Sequence, residues 1–231
     1  MRGNLYPGLM DLNQALYTTR AMRRVKPDPI PEQAVKAMLD AAIRAPSGGN
    51  NQNWRFVTVT DPALKAPLGH LYRAAWEILQ ETVYKKAHER AEAVGDTQAM
   101  RIRSSSEWLA ENFEQVPLWV FAFSRNDPSG ASIFPGVWNM MLSARGLGIG
   151  TCLTTIAGSF KSDGVFEVLG VPTDKGWVNN AAVSAGYPLG RWGTAKRLPA
   201  DRVVFSERWG NRPDWTVEEP LWMEPENYGR D

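Results

Sequence analysis

Residues 118–123 read LWVFAF, an unbroken apolar run of strand length. A strand without polar alternation is buried on both faces, so other elements must cover both sides of the sheet that contains it. The sequence predicts further strands in three other segments, at 55–60, 151–158 and 177–190. Helical patterns lie between them without the strict alternation of a doubly wound sheet. We therefore expect one α/β or α+β domain spanning residues 1–231.

Helical periodicity is clearest after Pro31, where apolar residues recur at i, i+3, i+4 and i+7 from Val35. Other helical patterns cover an amphipathic opening at 1–17, a long segment at about 64–115, and stretches at 134–148 and 162–169. The long segment is rich in Ala, Glu, Lys, Arg and Gln and is interrupted near Gly95. Residues from about 209 to 231 contain prolines and tryptophans but no period. We expect them to form a C-terminal arm over the surface or over a partner subunit.

Charge and cysteine content exclude several classes of protein. The 231 residues carry 26 Lys and Arg against 25 Asp and Glu, a net charge of +1, which argues against nucleic-acid binding through a wide basic face. No apolar run approaches the ~20 residues of a membrane helix. No signal peptide is evident, so we expect a soluble cytoplasmic protein. With one cysteine, Cys152, and two histidines, neither a disulfide nor a thiolate- or His-rich metal site is expected.

Three separated segments concentrate side chains that can bind a ligand. Residues 20–26 contain three arginines and one lysine, and closely spaced guanidinium groups either face water or meet a phosphate or carboxylate. Residues 45–54 (APSGGNNQNW) include two glycines that allow a ligand close to the backbone, although a helix-ending turn would use the same residues. Residues 196–199 (KRLP) follow a Gly-Tyr-Pro turn and fit a surface loop equally well.

Two other motifs have a simpler explanation. Residues 146–150 (GLGIG) are similar to part of a dinucleotide-binding fingerprint, but they end a predicted helix, whereas the fingerprint follows a strand. We therefore expect helix capping there. Cys152 has no histidine beside it in the sequence, and no Gly-x-Ser-x-Gly motif occurs. We expect this cysteine to be a small buried hydrophobe and assign no nucleophile.

Together the segments resemble the nitroreductase superfamily of flavin mononucleotide (FMN) enzymes, which includes iodotyrosine deiodinase-like members. The family motif R-R-S-x-R-x-F corresponds to residues 19–25, and A-P-S-x-x-N-x-Q-P-W-x-F is nearly spelled by residues 45–56, with Asn53 in place of proline. The family's Gly-Tyr-Pro turn and its closing basic segment correspond to residues 186–188 and 196–199. Order and spacing agree from about residue 15 to 208. The resemblance implies a mainly antiparallel mixed sheet flanked by helices, with a helical lid insertion at about 64–115.

The resemblance also implies an FMN site at the interface of an intertwined homodimer. Arg20, Arg23 and Arg197 would hold the phosphate, while Ala21 would contribute only backbone because the family's serine is missing. The second motif would contact the flavin from the other subunit through Pro46, Ser47 and Asn50. Five consecutive residues correspond to the segment that passes flavin N5: Thr154, Thr155, Ile156, Ala157 and Gly158. A backbone N–H or a threonine hydroxyl of that segment would hydrogen-bond N5.

The activity implied by the resemblance is hydride transfer. NADH or NADPH would leave a hydride at flavin N5, and an electron-poor acceptor such as a nitroaromatic or quinone would take it in a ping-pong cycle. The flavin carries the chemistry, so no side chain is assigned as catalytic. The helical insertion would lie over the flavin, where four aromatic residues are candidates for contact with the acceptor: Trp76, Tyr84, Trp108 and Phe113. Helical spacing explains the same residues as core packing.

Two other functions stay open. The threonine pair at 154–155 also fits a reductive dehalogenase-like or substrate-oxidising flavoenzyme of the same fold. A non-catalytic flavin-binding protein is the third hypothesis. No sequence feature separates NADH from NADPH or names the physiological acceptor.

Overall fold

A computed structural model describes residues 10–218 and 220–223 of the chain. The predicted amphipathic opening before residue 10 and the end of the predicted arm, 224–231, lie outside these residues. In the described part of the chain, helices that are both long and apolar enough to cross a membrane are absent.

The described residues form one antiparallel sheet with the strand order β1-β2-β4-β3. The strands are β1 Trp54–Val59, β2 Leu118–Ser124, β3 Gly150–Thr154 and β4 Val178–Gly186. A parallel bridge between Ala21 and Thr151 adds the basic N-terminal segment to the outer edge of β3. The expected sheet, mainly antiparallel with a parallel element, is therefore confirmed.

Every residue of β2 is buried, as its apolar run predicts. Successive side chains of a strand point to opposite faces. One face of β2 contributes three aromatic side chains to a core and the other contributes smaller ones to a second core: Trp119, Phe121 and Phe123 against Leu118, Val120 and Ala122. The sheet is therefore the middle layer between two layers of helices.

The face with the smaller side chains is covered by α2 (Glu32–Ala42) and α6 (Ile133–Gly146), and α1 (Leu12–Thr18) packs against α6. An added Cβ at Gly136 of α6 would lie 3.0 Å from the carbonyl oxygen of Ala42, so this glycine allows α2 and α6 to approach closely. After α6 the chain turns at Gly148, whose φ is +73°, into β3. A strand and not a helix follows, which confirms the capping explanation for residues 146–150.

The aromatic face of the sheet is covered by α3 (Pro62–Leu79), α7 (Ile156–Phe160) and α8 (Ser162–Leu169). The carboxylate of Asp61 caps α3, and Pro62 occupies its first turn, where a missing N–H has no cost. Short 3-10 turns connect the main elements at Gly48–Asn50, Phe113–Gln115, Thr173–Lys175 and Ala200–Arg202.

The long segment predicted to be helical, at about 64–115, is mostly helical in the structure. A π-helical turn over Gln80–Tyr84 follows α3, and α4 (Lys85–Ala93) and α5 (Thr97–Glu111) come next. The predicted break lies at Gly95, with φ of +65°, and the Asp96 carboxylate then caps α5. π-turns frequently occur at functional sites.

After β4 the chain returns along the basic N-terminal segment. The backbone N–H of Leu189 donates to the carbonyl of Arg24 at 3.0 Å, and that of Ala195 donates to Tyr17 at 3.2 Å. The described residues beyond 209 contain neither helix nor strand. Trp222 contacts the Tyr17 ring, with the centroids 5.4 Å apart. Part of the predicted arm therefore lies on α1 of its own chain.

Candidate active site

A cavity of about 420 Å³ lies between the end of β3 and the helices α3, α4 and α5. Its floor includes five residues from the basic segment, β3 and the start of α7: Arg23, Cys152, Thr154, Thr155 and Ile156. The bridge between the basic segment and β3 brings the guanidinium next to the strand. The cavity therefore combines two segments that are more than a hundred residues apart in sequence.

Cys152 is 1% exposed, as a small buried hydrophobe would be. Burial raises the pKa of its thiol, and the neighbouring Arg23 guanidinium offsets only part of that effect. A protonated, buried thiol is a poor nucleophile. Among residues 10–218 and 220–223, His, Cys, Asp and Glu side chains form no group of three or more that could hold a metal ion.

The Thr154 hydroxyl is hydrogen-bonded to a second hydroxyl, that of Tyr72. Tyr72 of α3 donates to Thr154 Oγ1 at 3.3 Å. The tyrosine is 4% exposed, and its ring lies against those of Phe113 and Trp119, at centroid distances of 5.4 and 5.7 Å. Burial raises the pKa of the Tyr72 phenol, so the residue is neutral and keeps its proton at neutral pH.

The helical side of the cavity is mainly apolar and aromatic, with one guanidinium; it includes Trp76, Tyr84, His88, Ile102 and Arg103. Tyr84 ends the π-turn, and its ring contacts that of His88, with the centroids 5.6 Å apart. Arg103 joins α4 to α5, because it binds the carboxylates of Glu92 at 2.7 Å and Glu107 at 2.8 Å. No aspartate or glutamate is among the described residues that line the cavity.

The basic segment is attached directly to α5. Arg23 Nη1 donates to Ser105 Oγ at 3.3 Å, and Arg24 Nη2 donates to Ser104 Oγ at 2.9 Å. These contacts connect the floor of the cavity to its helical side.

The structure separates the three arginines that were predicted to hold a phosphate. Arg23 lines the cavity. Arg20 and Arg197 are exposed and donate to backbone carbonyls, of Arg191 at 2.8 Å and of Lys196 at 2.9 Å. Arg20 precedes the bridge residue Ala21, and the backbone bond of Ala195 to Tyr17 brings the segment of Arg197 to the same region. Arg20 and Arg197 therefore belong to adjoining segments near β3, outside the cavity wall.

Only part of the segment predicted to pass flavin N5 lines the cavity. Thr154, Thr155 and Ile156 line the cavity, whereas Ala157 and Gly158 do not. Ala157 belongs to the aromatic core of the sheet. A Cβ at Gly158 would lie 2.2 Å from the carbonyl oxygen of Asn179, so this glycine lets α7 pack directly on β4.

Pro46, Ser47 and Asn50 precede β1, at the edge of the sheet opposite β3, and do not line the cavity. Three strand spacings of about 4.8 Å separate these edges by about 14 Å. The loop is bonded to itself, because Ser47 Oγ and Asn50 Oδ1 accept from the backbone and side-chain amides of Gln52, both at 3.2 Å. Asn50 and Gln52 have φ of +53° and +51°, an uncommon conformation for residues other than glycine. A single chain does not bring this loop to Arg23.

The four aromatic candidates also divide in two. Trp76 and Tyr84 line the cavity, and Trp108 and Phe113 do not. Phe113 is 1% exposed and stacks on Trp119, with centroids 4.1 Å apart and planes at 14°. The structure thus places Phe113 in the core, as the packing alternative describes, and Trp108 half-buried on α5 away from the cavity lining.

Tyr72, His88 and Arg103 are among the cavity residues that were not singled out from the sequence. Tyr72 precedes Trp76 by four residues and His88 follows Tyr84 by four, so the spacing of one helix face is the signal that points to each. Arg103 has no such signal, because its place is set by carboxylates of two helices.

The comparisons with known proteins agree with these features. The Nitroreductase family model matches residues 16–187. An NADH dehydrogenase from Thermus thermophilus is 30% identical over 212 residues, which cover 85% of this chain and 96% of that protein. A nitroreductase with bound FMN from Desulfitobacterium hafniense DCB-2 has a TM-score of 0.63 at 18% identity, covering 86% of this chain and 100% of that one.

Oxidised iodotyrosine deiodinase bound to FMN and 3-iodo-L-tyrosine has a TM-score of 0.66 at 22% identity, covering 81% of this chain and 95% of that one. At these identities the two solved structures establish a shared fold. The family match extends over most of the chain and includes the basic segment, the 45–56 motif and the whole cavity floor. The chain belongs to the nitroreductase family.

Proposed function

We propose that the protein is an FMN-dependent oxidoreductase that transfers a hydride from NADH or NADPH to an electron-poor acceptor such as a nitroaromatic or quinone. The observation that carries the proposal is the meeting of Arg23 with Thr154 and Thr155 on one floor, opposite Trp76 and Tyr84. The family resemblance implies a flavin contact for Arg23, Thr154 and Thr155, and Trp76 and Tyr84 are candidates for the acceptor in the helical insertion. Three separate segments supply them.

The cavity fits a flavin ring in size and in chemistry. A volume of about 420 Å³ lies in the range of small-molecule sites, and aromatic and apolar side chains suit a flat ring. The hydroxyl and guanidinium donors of the floor match a ligand whose edge carries nitrogen and oxygen acceptors. When bound, FMN supplies hydride chemistry at its N5 atom. We assign the ring to the floor residues Arg23, Thr154, Thr155 and Ile156, and the phosphate to Arg20 and Arg197, with Ala21 contributing backbone.

The chain's own groups contribute binding, charge and exclusion of water. The Arg23 guanidinium stabilises negative charge that develops on a ligand at the floor, and no carboxylate is among the described lining residues to oppose it. Trp76 and Tyr84 provide surfaces against which a flat acceptor can stack. Ala157 and Gly158 do not contact the ligand. They position α7 by packing against the core and against β4.

The proposal includes a homodimer in which Pro46, Ser47 and Asn50 complete the partner's site. The distance between the two edges of the sheet supports this assignment, because the loop is too far from Arg23 to share a site within one chain. Mixing two inactive variants, Arg23→Ala and Ser47→Ala/Asn50→Ala, after dissociation and reassociation tests it. Mixed dimers would contain one intact site and regain activity. Absence of recovery, with mixed dimers verified by differential tags, would contradict the assignment.

The function itself is tested by the absorbance spectrum of the purified protein under anaerobic conditions, before and after NADH and then NADPH. We expect a flavin band that bleaches with one nicotinamide and returns when a nitroaromatic or quinone is added. A flavin band that neither nicotinamide bleaches would contradict the reductase and leave substrate oxidation or flavin binding. Absence of flavin after incubation with FMN would contradict the whole proposal. The cytoplasmic location stays a prediction.

A further inference from the structure

Tyr72 and Thr154 form a hydroxyl pair at the floor of the cavity, and the mechanism above does not use the tyrosine. The Tyr72 hydroxyl reaches Thr154 Oγ1 at 3.3 Å from the protein side. Its ring lies against the stacked rings of Phe113 and Trp119. Thr154 is the last residue of β3, and its backbone position pairs with Ala182 of β4. Neither partner of the pair is therefore free to move away.

The proton of each hydroxyl has a defined direction. A phenol is a stronger acid than an aliphatic alcohol and is the better donor, so Tyr72 donates and Thr154 accepts. The threonine proton must then point away from the tyrosine. The Arg23 guanidinium, which lines the same floor, has only donors. A ligand in the cavity can supply the acceptor for the threonine proton.

We propose that Tyr72 is a positioning residue that, by donating to Thr154 Oγ1, aims the threonine proton at an acceptor atom of the bound ligand. This inference rests on the proposed function, in which that atom is N5 of FMN. Oxidised FMN presents an N5 lone pair, whereas reduced FMN carries a hydrogen there and becomes a donor. A threonine held as a donor therefore favours the oxidised form over the reduced form.

The test measures FMN affinity of the apoprotein in both redox states, without turnover. In Tyr72→Phe we expect the Kd of oxidised FMN to rise about five-fold, the worth of one net hydrogen bond. The Kd of reduced FMN should change less, so the ratio of the two constants shifts and the midpoint potential of bound FMN rises. Tyr17→Phe is the matched control, because Tyr17 does not line the cavity and its ring contacts Trp222 instead, and we expect its ratio to equal that of the unaltered protein.

A double-mutant cycle separates positioning from packing. If Tyr72 acts through Thr154, then Tyr72→Phe has no effect on the ratio in a Thr154→Val background. An unchanged ratio in Tyr72→Phe alone, or the same shift in both backgrounds, would overturn the inference. Should Tyr72→Phe fail to fold, Thr154→Val against Thr154→Ser supplies the test, since only the serine variant keeps the pair. Absence of FMN binding in the unaltered protein would instead refute the proposed function.

Discussion

Arg23 Nη1 donates to Ser105 Oγ at 3.3 Å, and this bond joins the floor of the cavity to the helix above it. Beside it, Arg24 donates to Ser104 at 2.9 Å. The basic segment thus has two roles, since it lies against β3 and also holds α5. Ligand binding at the floor of the cavity and the position of α5 are therefore physically coupled.

Removing both serine hydroxyls should loosen α5. In Ser104→Ala/Ser105→Ala we expect protection of the amides of α5 against hydrogen exchange to fall several-fold, since about 1 kcal/mol of hydrogen bonding is lost. Ser106→Ala is the control, because that hydroxyl bonds to the Ile102 carbonyl within the same helix. Equal protection in the double variant and the control would show that the arginines do not hold the helix.

Arg20→Ala and Arg197→Ala should each weaken FMN binding while leaving the fold intact. Loss of one charge-assisted bond to phosphate costs about 1.5–3 kcal/mol, a rise of about ten-fold or more in Kd. Riboflavin lacks the phosphate, and its Kd should stay unchanged in both variants. Arg90→Ala, an exposed arginine of α4, provides the control. Unchanged FMN affinity in both variants would refute the phosphate site.

Trp76 and Trp108 provide a matched pair of aromatic substitutions. We expect Trp76→Leu to raise the KM for aromatic acceptors by about three- to ten-fold, because stacking interactions contribute about 0.5–1.5 kcal/mol. Trp108→Leu should leave KM unchanged, since Trp108 does not line the cavity. Steady-state kinetics with one quinone and one nitroaromatic measures both. A larger KM effect at Trp108 would reverse the assignment.

Gly158→Ala should destabilise the protein even though the residue does not line the cavity. Its Cβ would lie 2.2 Å from the Asn179 carbonyl oxygen, so α7 would have to move away from β4. Overpacking of this kind costs about 1–3 kcal/mol and should lower Tm by several degrees. At Gly190 an added Cβ has no neighbour within 4 Å, so Gly190→Ala should leave Tm unchanged. A scanning calorimeter measures both variants.

The Arg73–Glu114 pair predicts a dependence of stability on pH. Two bonds of 2.9 and 3.1 Å join these side chains. Burial by itself raises the pKa of Glu114, but the hydrogen bonds and charge of Arg73 outweigh it and the net pKa is lowered. A carboxylate with a lowered folded-state pKa stabilises the fold above its unfolded pKa, about 4.3, and this contribution disappears as pH falls through the folded value.

We therefore expect Glu114→Gln to reduce the free energy of unfolding near neutral pH, by less than about 1 kcal/mol because the pair is partly exposed. The difference from the unaltered protein should shrink below about pH 4. Urea unfolding at several pH values measures it, with the exposed Glu81→Gln as control. A difference that stays constant down to about pH 3 would show that the pair does not titrate as described.

The sequence predicts the elements of the fold better than the contacts of the site. The apolar run of β2, the break at Gly95 and the helix end at residues 146–150 are local signals, and local chemistry decides them. Motif order likewise predicts that Arg23 and Thr154 belong to one site. In each of these cases the prediction depends on residues that are close together in the sequence or on a known family motif.

Other features depend on tertiary packing and have no local signal. Tyr72 and Phe113 are both aromatic residues near the cavity, yet one reaches Thr154 and the other stacks on Trp119. The bond from Arg23 to Ser105 spans 82 positions. Only the sheet order reveals that the loop of Ser47 lies on the opposite edge from β3.

The burial of Cys152 has a practical consequence for following the motion of the helices. It is the chain's single cysteine, it is 1% exposed, and its raised thiol pKa leaves little thiolate to react with a maleimide. A cysteine introduced at an exposed position of α4 or α5 would therefore carry a fluorescent or spin label at one site only, in a protein whose own thiol is left in place. Distances from that label would report how far these helices move when ligands enter.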